Sequence, residues 1–97
     1  MAGSNQWTLI SVSYNSGEAL RRFWLDAALP HSVRWIVVDN ASTDDSVSVA
    51  RAAGAEVIQL SENIGFGAAN NLGFEQADSP YVGFVNPDVR VDFDSLP

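Results

Sequence analysis

The sequence predicts an α/β fold, an open and mainly parallel sheet in the order β-α-β-α-β-α-β with helices on both faces. Three observations predict it. Four apolar runs rich in β-formers, at residues 7–14, 33–39, 55–60 and 81–85, alternate with three segments of helical character. The second run, VRWIVVD, is nearly continuous in apolar residues, as strands covered on both faces are. The connections are short enough that successive parallel strands require right-handed crossovers. The outcome is a Rossmann-like sheet with every strand C-terminus at one end. A chain of 97 residues with no repeat and no linker forms a single unit, residues 1–97.

Each element has its own justification. After the first strand, WTLISVSY, residues Leu20, Phe23, Trp24, Ala27 and Ala28 recur at helical spacing on one face. Arg21, Arg22 and Asp26 fall on the other side, and Pro30 stops this helix. The second helix is expected to open at Ser42-Thr43-Asp44-Asp45, a loose capping box, and to run through Val47 and Ala50 to Gly54 at C′. The third strand is AEVIQL. The third helix begins at Gly65 or Phe66 and ends near Gln76, although its glycines and asparagines are poor helix formers. The fourth strand is YVGFV, and residues 88–97 show no period.

Composition removes several classes of function. Hydrophobic residues make up 46%, too many for a disordered tail. Asp and Glu number 12 against 5 Arg and no Lys, and a net charge of -7 would repel a phosphate backbone, so no nucleic-acid partner is expected. Without cysteine there is no disulfide or thiolate metal site. The N-terminus has neither a charged nor an apolar signal region, and no run approaches the ~20 apolar residues of a membrane span. The expectation is a soluble, cytoplasmic protein with no membrane segment. His31 reads as a surface histidine after Pro30, and Asn40-Ala41-Ser42 as a coincidental glycosylation sequon.

Ligands of open parallel sheets bind beyond the carboxyl ends of the strands. Each run ends there in polar residues: Ser13-Tyr14-Asn15, Asp39-Asn40, Asn63 after Ser61-Glu62, and Asn86-Pro87-Asp88. Each cluster alone is ordinary turn chemistry. Four at one edge, with an aromatic among them, suit a polar ring plus phosphates. Asp39 either caps the following turn or accepts a hydrogen bond from a base or ribose. Gly65 and Gly67 let backbone approach a ligand near a helix N-terminus. Asp88 is either a turn residue or a hard oxygen ligand for a divalent cation on a diphosphate.

The strings SVSYNSG, IVVDNASTDDS, ENIGFGAANNLG and VGFVNPD resemble, in order and spacing, the N-terminal half of family 2 glycosyltransferases, especially the bacterial rhamnosyltransferase-like branch. The similarity covers about residues 8 to 90. It implies a truncated GT-A-type sheet that binds a nucleoside-diphosphate sugar, dTDP- or UDP-linked, together with Mg2+ or Mn2+. By that resemblance Ser13, Tyr14 and Asn15 line the nucleoside pocket, and Asp39 contacts the base. Asn63 and Gly65 shape the loop into the third helix, and Asn71 matches the Asn closing the family's N-x-G-x-x-x-A-R-N string. Asn70 stands where many members carry Arg, so a charged donor contact is absent or comes from elsewhere. Asn86-Pro87-Asp88 takes the place of D-x-D, with Asp88 meeting the metal. The resemblance also attributes the glycines and asparagines of the third helix to the donor pocket.

The implied reaction of a whole enzyme is sugar transfer to an acceptor hydroxyl with inversion. Its base belongs to a later segment that Asp88, Asp92 and Asp94 do not match. The chain by itself is therefore expected to bind a nucleotide sugar without turnover, with a homodimer through the exposed sheet edge as a further expectation. A non-catalytic nucleotide-binding module or an inactive truncated piece is the competing reading. A dinucleotide-binding oxidoreductase is disfavoured. It needs G-x-G-x-x-G after the first strand, where the chain has Tyr14-Asn15-Ser16-Gly17.

Overall fold

A computed structural model describes residues 5–96. Four strands, β1 (Trp7–Ser13), β2 (Val33–Asp39), β3 (Glu56–Gln59) and β4 (Tyr81–Phe84), alternate with helices α1 (Gly17–Phe23), α2 (Ser46–Ala52) and α3 (Phe66–Glu75). A short 3-10 turn, Phe93–Ser95, follows. The sheet runs β3-β2-β1-β4 with every pairing parallel. This is the predicted α/β class. β1 pairs with β2 through its whole length and with β4 through its first half. The chain thus builds outward from β1 to β3, then crosses back to lay β4 on the other side.

Side chains alternate across β1 and β2, and each face has its own apolar cluster. On one face Leu9, Trp35 and Val37 pack against Leu20 and Trp24 at α1 and Val49 and Ala50 of α2. On the other, Val12, Ile36 and Val38 pack against Ala69 of α3. β1 and β2 are buried almost throughout, while the outer strands β3 and β4 are half-buried at their two middle residues and exposed at both ends. The near-continuous apolar character of the second run thus marks an inner strand.

Three local expectations change in the structure. Helix α1 ends at Phe23 rather than running to Pro30, and Ala28 adopts a left-handed φ of 53° that no helix accommodates. Trp24 is still buried. Its ring stacks on Trp35 at 3.9 Å and 14°, and its indole N–H donates to the Pro87 carbonyl at 3.0 Å. Packing, not helix continuation, explains its apolar spacing.

The capping box does not form either. Helix α2 begins at Ser46, and Ser42 turns its hydroxyl back onto Asp39. At the other end of α2, Gly54 has φ 99°, with Gly54 N–H on Arg51 O and Ala55 N–H on Ala50 O, the paired bonds of a Schellman cap.

Gly73, attributed above to the donor pocket, is buried against the sheet instead. A Cβ there would stand 2.5 Å from Ile10 Cγ2 and 3.3 Å from Val38 Cγ2, so its absence lets α3 lie close on β1 and β2. Gly67, by contrast, has nothing within 4 Å of a built Cβ.

At the opposite, amino-terminal end of the sheet, Arg34 forms a two-pronged bond to Glu56 at 2.6 and 2.9 Å and donates to Gln76 O at 2.7 Å. These contacts tie β2, β3 and the end of α3 together. The radius of gyration is 12.4 Å, in line with the ~13 Å of a compact 100-residue domain. Among the described residues, no helix is long and apolar enough to cross a membrane.

Candidate functional site

The strand order places the carboxyl ends of β1 and β4 side by side, with α1, which follows β1, and α3, which precedes β4, on opposite faces of the sheet. This is the switch point at which open α/β sheets bind ligands. Two cavities flank it. One, of about 570 Å³, is lined on the α1 side by residues including Asn15, Glu18, Arg22, Phe23, Asn86 and Asp88. The other, of about 390 Å³, lies on the α3 side and includes Phe66, Gly67, Asn70, Asn71, Phe84 and Asn86. Asn86 lines both. Both volumes fall in the usual range for small-molecule sites.

The loops around this edge are held by side chains. Asn15 takes a left-handed φ of 50°, a conformation Asn tolerates better than most residues. Its backbone N–H donates to Ser42 Oγ at 2.8 Å, and its Oδ1 accepts from Thr43 N–H at 2.8 Å. The loop after β1 is thereby tied to the loop after β2.

Asp39 is only 1% exposed, and Ser42 occupies both its carboxylate oxygens: N–H at 2.9 Å and Oγ–H at 2.7 Å. In this conformation it caps the turn. Asp44 accepts from Gly17 N–H at 3.0 Å, Ser46 N–H at 3.0 Å and the Ser46 hydroxyl. Burial pushes the Asp44 carboxyl up. The bonds from the Ser46 hydroxyl, Gly17 N–H and Ser46 N–H outweigh it and hold the group below its ordinary 3.8.

Asn40 has the largest consequence for the site and was legible beforehand only as a polar residue at a strand tip. It is 3% exposed, its Oδ1 accepts from Ile64 N–H at 3.1 Å, and its Nδ2 donates to Gly65 O at 3.2 Å. Its own N–H donates to Ser13 O at 2.8 Å. One buried amide thus joins the tip of β1, the tip of β2 and the entry to α3. Asn63 adds a local turn, its Oδ1 accepting from Gly65 N–H at 2.8 Å, and Gly65 turns with φ 89° at the helix N-cap. That φ is left-handed, which explains glycine at this position.

The predicted residues therefore divide. Asn15, Asn86 and Asp88 meet in the larger cavity, and Asn70, Asn71 and Asn86 in the smaller. Tyr14, 54% exposed, stands at the tip of β1 but lines neither cavity. Asp39, Asn63 and Gly65 shape the surrounding loops. Ser13 is fully buried, and its hydroxyl is the one buried side-chain polar atom among the described residues with no hydrogen-bond partner. Trp24 and Pro87 were not foreseen as site residues. Their bond fixes the Asn86-Pro87-Asp88 turn to the core. The signal was a tryptophan, whose buried indole N–H needs an acceptor.

The profile of Glycosyl transferase family 2 matches residues 8–97. The chain belongs to this family. An uncharacterized glycosyltransferase of Mycobacterium tuberculosis is 39% identical over 71 residues, covering 73% of this chain and 32% of its own. The succinoglycan biosynthesis protein ExoU of Rhizobium meliloti is 35% identical over 86 residues, 82% of this chain and 25% of its own.

Among solved structures, TarS of S. aureus, residues 1–349 in complex with UDP, superposes with a TM-score of 0.73 at 27% identity. That match covers 86% of this chain and 27% of TarS. The mannosyltransferase PcManGT of Pyrobaculum calidifontis, in complex with GDP-Man and Mn2+, superposes with a TM-score of 0.76 at 24% identity, over 88% of this chain and 28% of its own. The family 2 chain thus has the GT-A sheet and spans about a third or less of the curated relatives it matches.

Proposed function

We propose that this chain is the donor-binding half of a family 2 glycosyltransferase. The carrying observation is the pair of cavities at the β1–β4 switch point, joined by Asn86 and lined by residues of three of the family's strings. The nucleoside lies on the α3 side, where Asn70 and Asn71 offer amides and Gly67 leaves the backbone open. The sugar and diphosphate lie toward Asn86 and Asp88. UDP in TarS and GDP-Man in the mannosyltransferase support a nucleotide-linked donor. The dTDP or UDP base and the rhamnosyltransferase-like branch rest on the sequence strings. Asp39 reaches a base only if Ser42 yields one of its oxygens.

The donor set suits a cation only with its substrate. Among the described residues, no group of three His, Cys, Asp or Glu side chains converges. Asp88 and the Asn86 amide face one cavity, and Mg2+-type ions are held by one or two carboxylates plus substrate phosphates. Such an ion, when bound, would offset charge on the departing diphosphate. Of the carboxylates that follow, Asp92 is engaged by Asp94 N–H at 3.1 Å and Ser95 Oγ at 2.8 Å, so it makes a turn rather than a base. The chain therefore binds without turnover, and inversion at the anomeric carbon belongs to the whole enzyme.

Calorimetric titration with UDP, dTDP and GDP, with and without Mn2+ or Mg2+, tests this reading. One nucleotide is expected to bind about tenfold tighter with metal, a gap of about 1.4 kcal/mol. Asp88→Asn should abolish that enhancement. No binding by any of the three would leave only an empty scaffold.

Self-association is part of the same proposal. β4 is an edge strand, and Phe84, Phe74 and Phe66 are all more than half exposed. Light scattering should show a dimer at high concentration, and a strict monomer would remove this element.

A further inference from the structure

The chain carries 12 carboxylates and 5 guanidinium groups, so an arginine with no acidic partner is informative. Arg21 pairs with Asp45, and Arg34 with Glu56 and Asp78. Of the other three, Arg51 lies on α2 and lines neither cavity. Arg22 and Arg90 have no ion pair and no side-chain hydrogen bond among the described residues, and both contact a single ring: the two guanidinium carbons lie 5.4 and 5.5 Å from the centroid of Phe23. Phe23 and Arg22 both line the larger cavity, which Asp88 also lines, and Arg90 is two residues beyond Asp88.

We propose that Arg22 and Arg90, both packed on Phe23, form a clamp for a phosphate group of the ligand in the larger cavity. Two guanidinium groups gathered on one ring offer an anion two positive charges. Stacking on an aromatic face also leaves the guanidinium N–H edges free to donate. Planar, paired donors of this kind suit phosphate oxygens. The clamp supplies the positive charge that Asn70 does not, from the other side of Asn86. It rests on the donor-binding reading in one respect: the phosphate is taken to be the donor's diphosphate. A phosphorylated acceptor would offer the same chemistry.

NMR titrations of the chain in constant Mg2+ separate these cases. The probes are UDP, dTDP and GDP, the matching nucleosides, and inorganic pyrophosphate, each tested on wild type and on the Arg22→Gln, Arg90→Gln double variant. Both side chains are exposed, and unchanged melting of the variant confirms its fold. The expected result is about tenfold weaker binding of pyrophosphate and of the nucleoside diphosphate, with nucleoside binding unchanged.

If pyrophosphate binding depends on the two arginines while no nucleotide binds, the clamp stands and the donor reading fails. Arginine-dependent pyrophosphate binding with undiminished nucleotide binding supports a phosphate source other than the donor. Undiminished pyrophosphate binding in the variant, or none in wild type, overturns the clamp. Nucleotide binding in those samples would still uphold the donor reading.

Discussion

Trp24→Ala is expected to leave the chain largely unfolded. Trp24 is fully buried, stacked on Trp35, edge-on to Phe93, and hydrogen-bonded to Pro87 O. Truncating a buried tryptophan costs about 3–5 kcal/mol, and a lost hydrogen bond adds about 1 kcal/mol. A domain of this size has only about 5–15 kcal/mol in total. Trp24→Phe separates the two contributions, since it keeps an aromatic ring but removes the indole N–H. That variant should fold, lose about 1–2 kcal/mol, and bind nucleotide more weakly because the Asn86-Pro87-Asp88 turn has lost its anchor. Urea unfolding followed by far-UV circular dichroism measures both. A loss below about 1 kcal/mol for Trp24→Ala would show that the stack does not hold the core.

The second large effect is expected at Asn40. Asn40→Leu keeps a side chain of similar length but leaves Ile64 N–H without its acceptor and Gly65 O with only the Ala69 N–H, in a part-buried setting. The unsatisfied N–H costs about 1–3 kcal/mol. The cost concentrates at the entry to α3, so the functional loss should exceed what global destabilisation explains. Hydrogen exchange at the Ile64 amide is expected to accelerate by at least about tenfold while the β2 amides slow the label as before. Nucleotide affinity should fall in parallel. Uniform acceleration across the sheet would mean that Asn40 is only a core residue.

Much of this fold is legible in the sequence, and the places where it is not have physical causes. The run at residues 33–39 becomes β2 without adjustment, because its apolar character spans both faces of an inner strand. Gly54 is recognisable as a helix stop, because a left-handed C′ position is where glycine belongs. The end of α1 is not legible. Leu20, Phe23, Trp24 and Ala27 keep helical spacing, yet the chain leaves the helix after Phe23, and Trp24 is placed by Trp35 and Pro87, residues distant in sequence.

The site divides the same way. Asn15, Asn86 and Asp88, at strand tips, line one cavity, and Asn70 and Asn71 of α3 line the other together with Asn86. Asn40 stayed hidden because asparagine is a common turn residue, and only its burial and partners reveal its work. Gly73 and Gly67 look alike in sequence. One sits against Ile10 and the other faces open space, a difference that only packing decides.

The most direct test of the donor-binding account is an amide chemical-shift map of the isotope-labelled chain titrated with a nucleoside diphosphate and Mg2+. The account predicts perturbations clustered at residues 13–15, 65–71 and 86–88, with the amino-terminal edge around Arg34 and Glu56 unmoved. Saturable shifts centred on that opposite edge, or none at any of these loops, would contradict it.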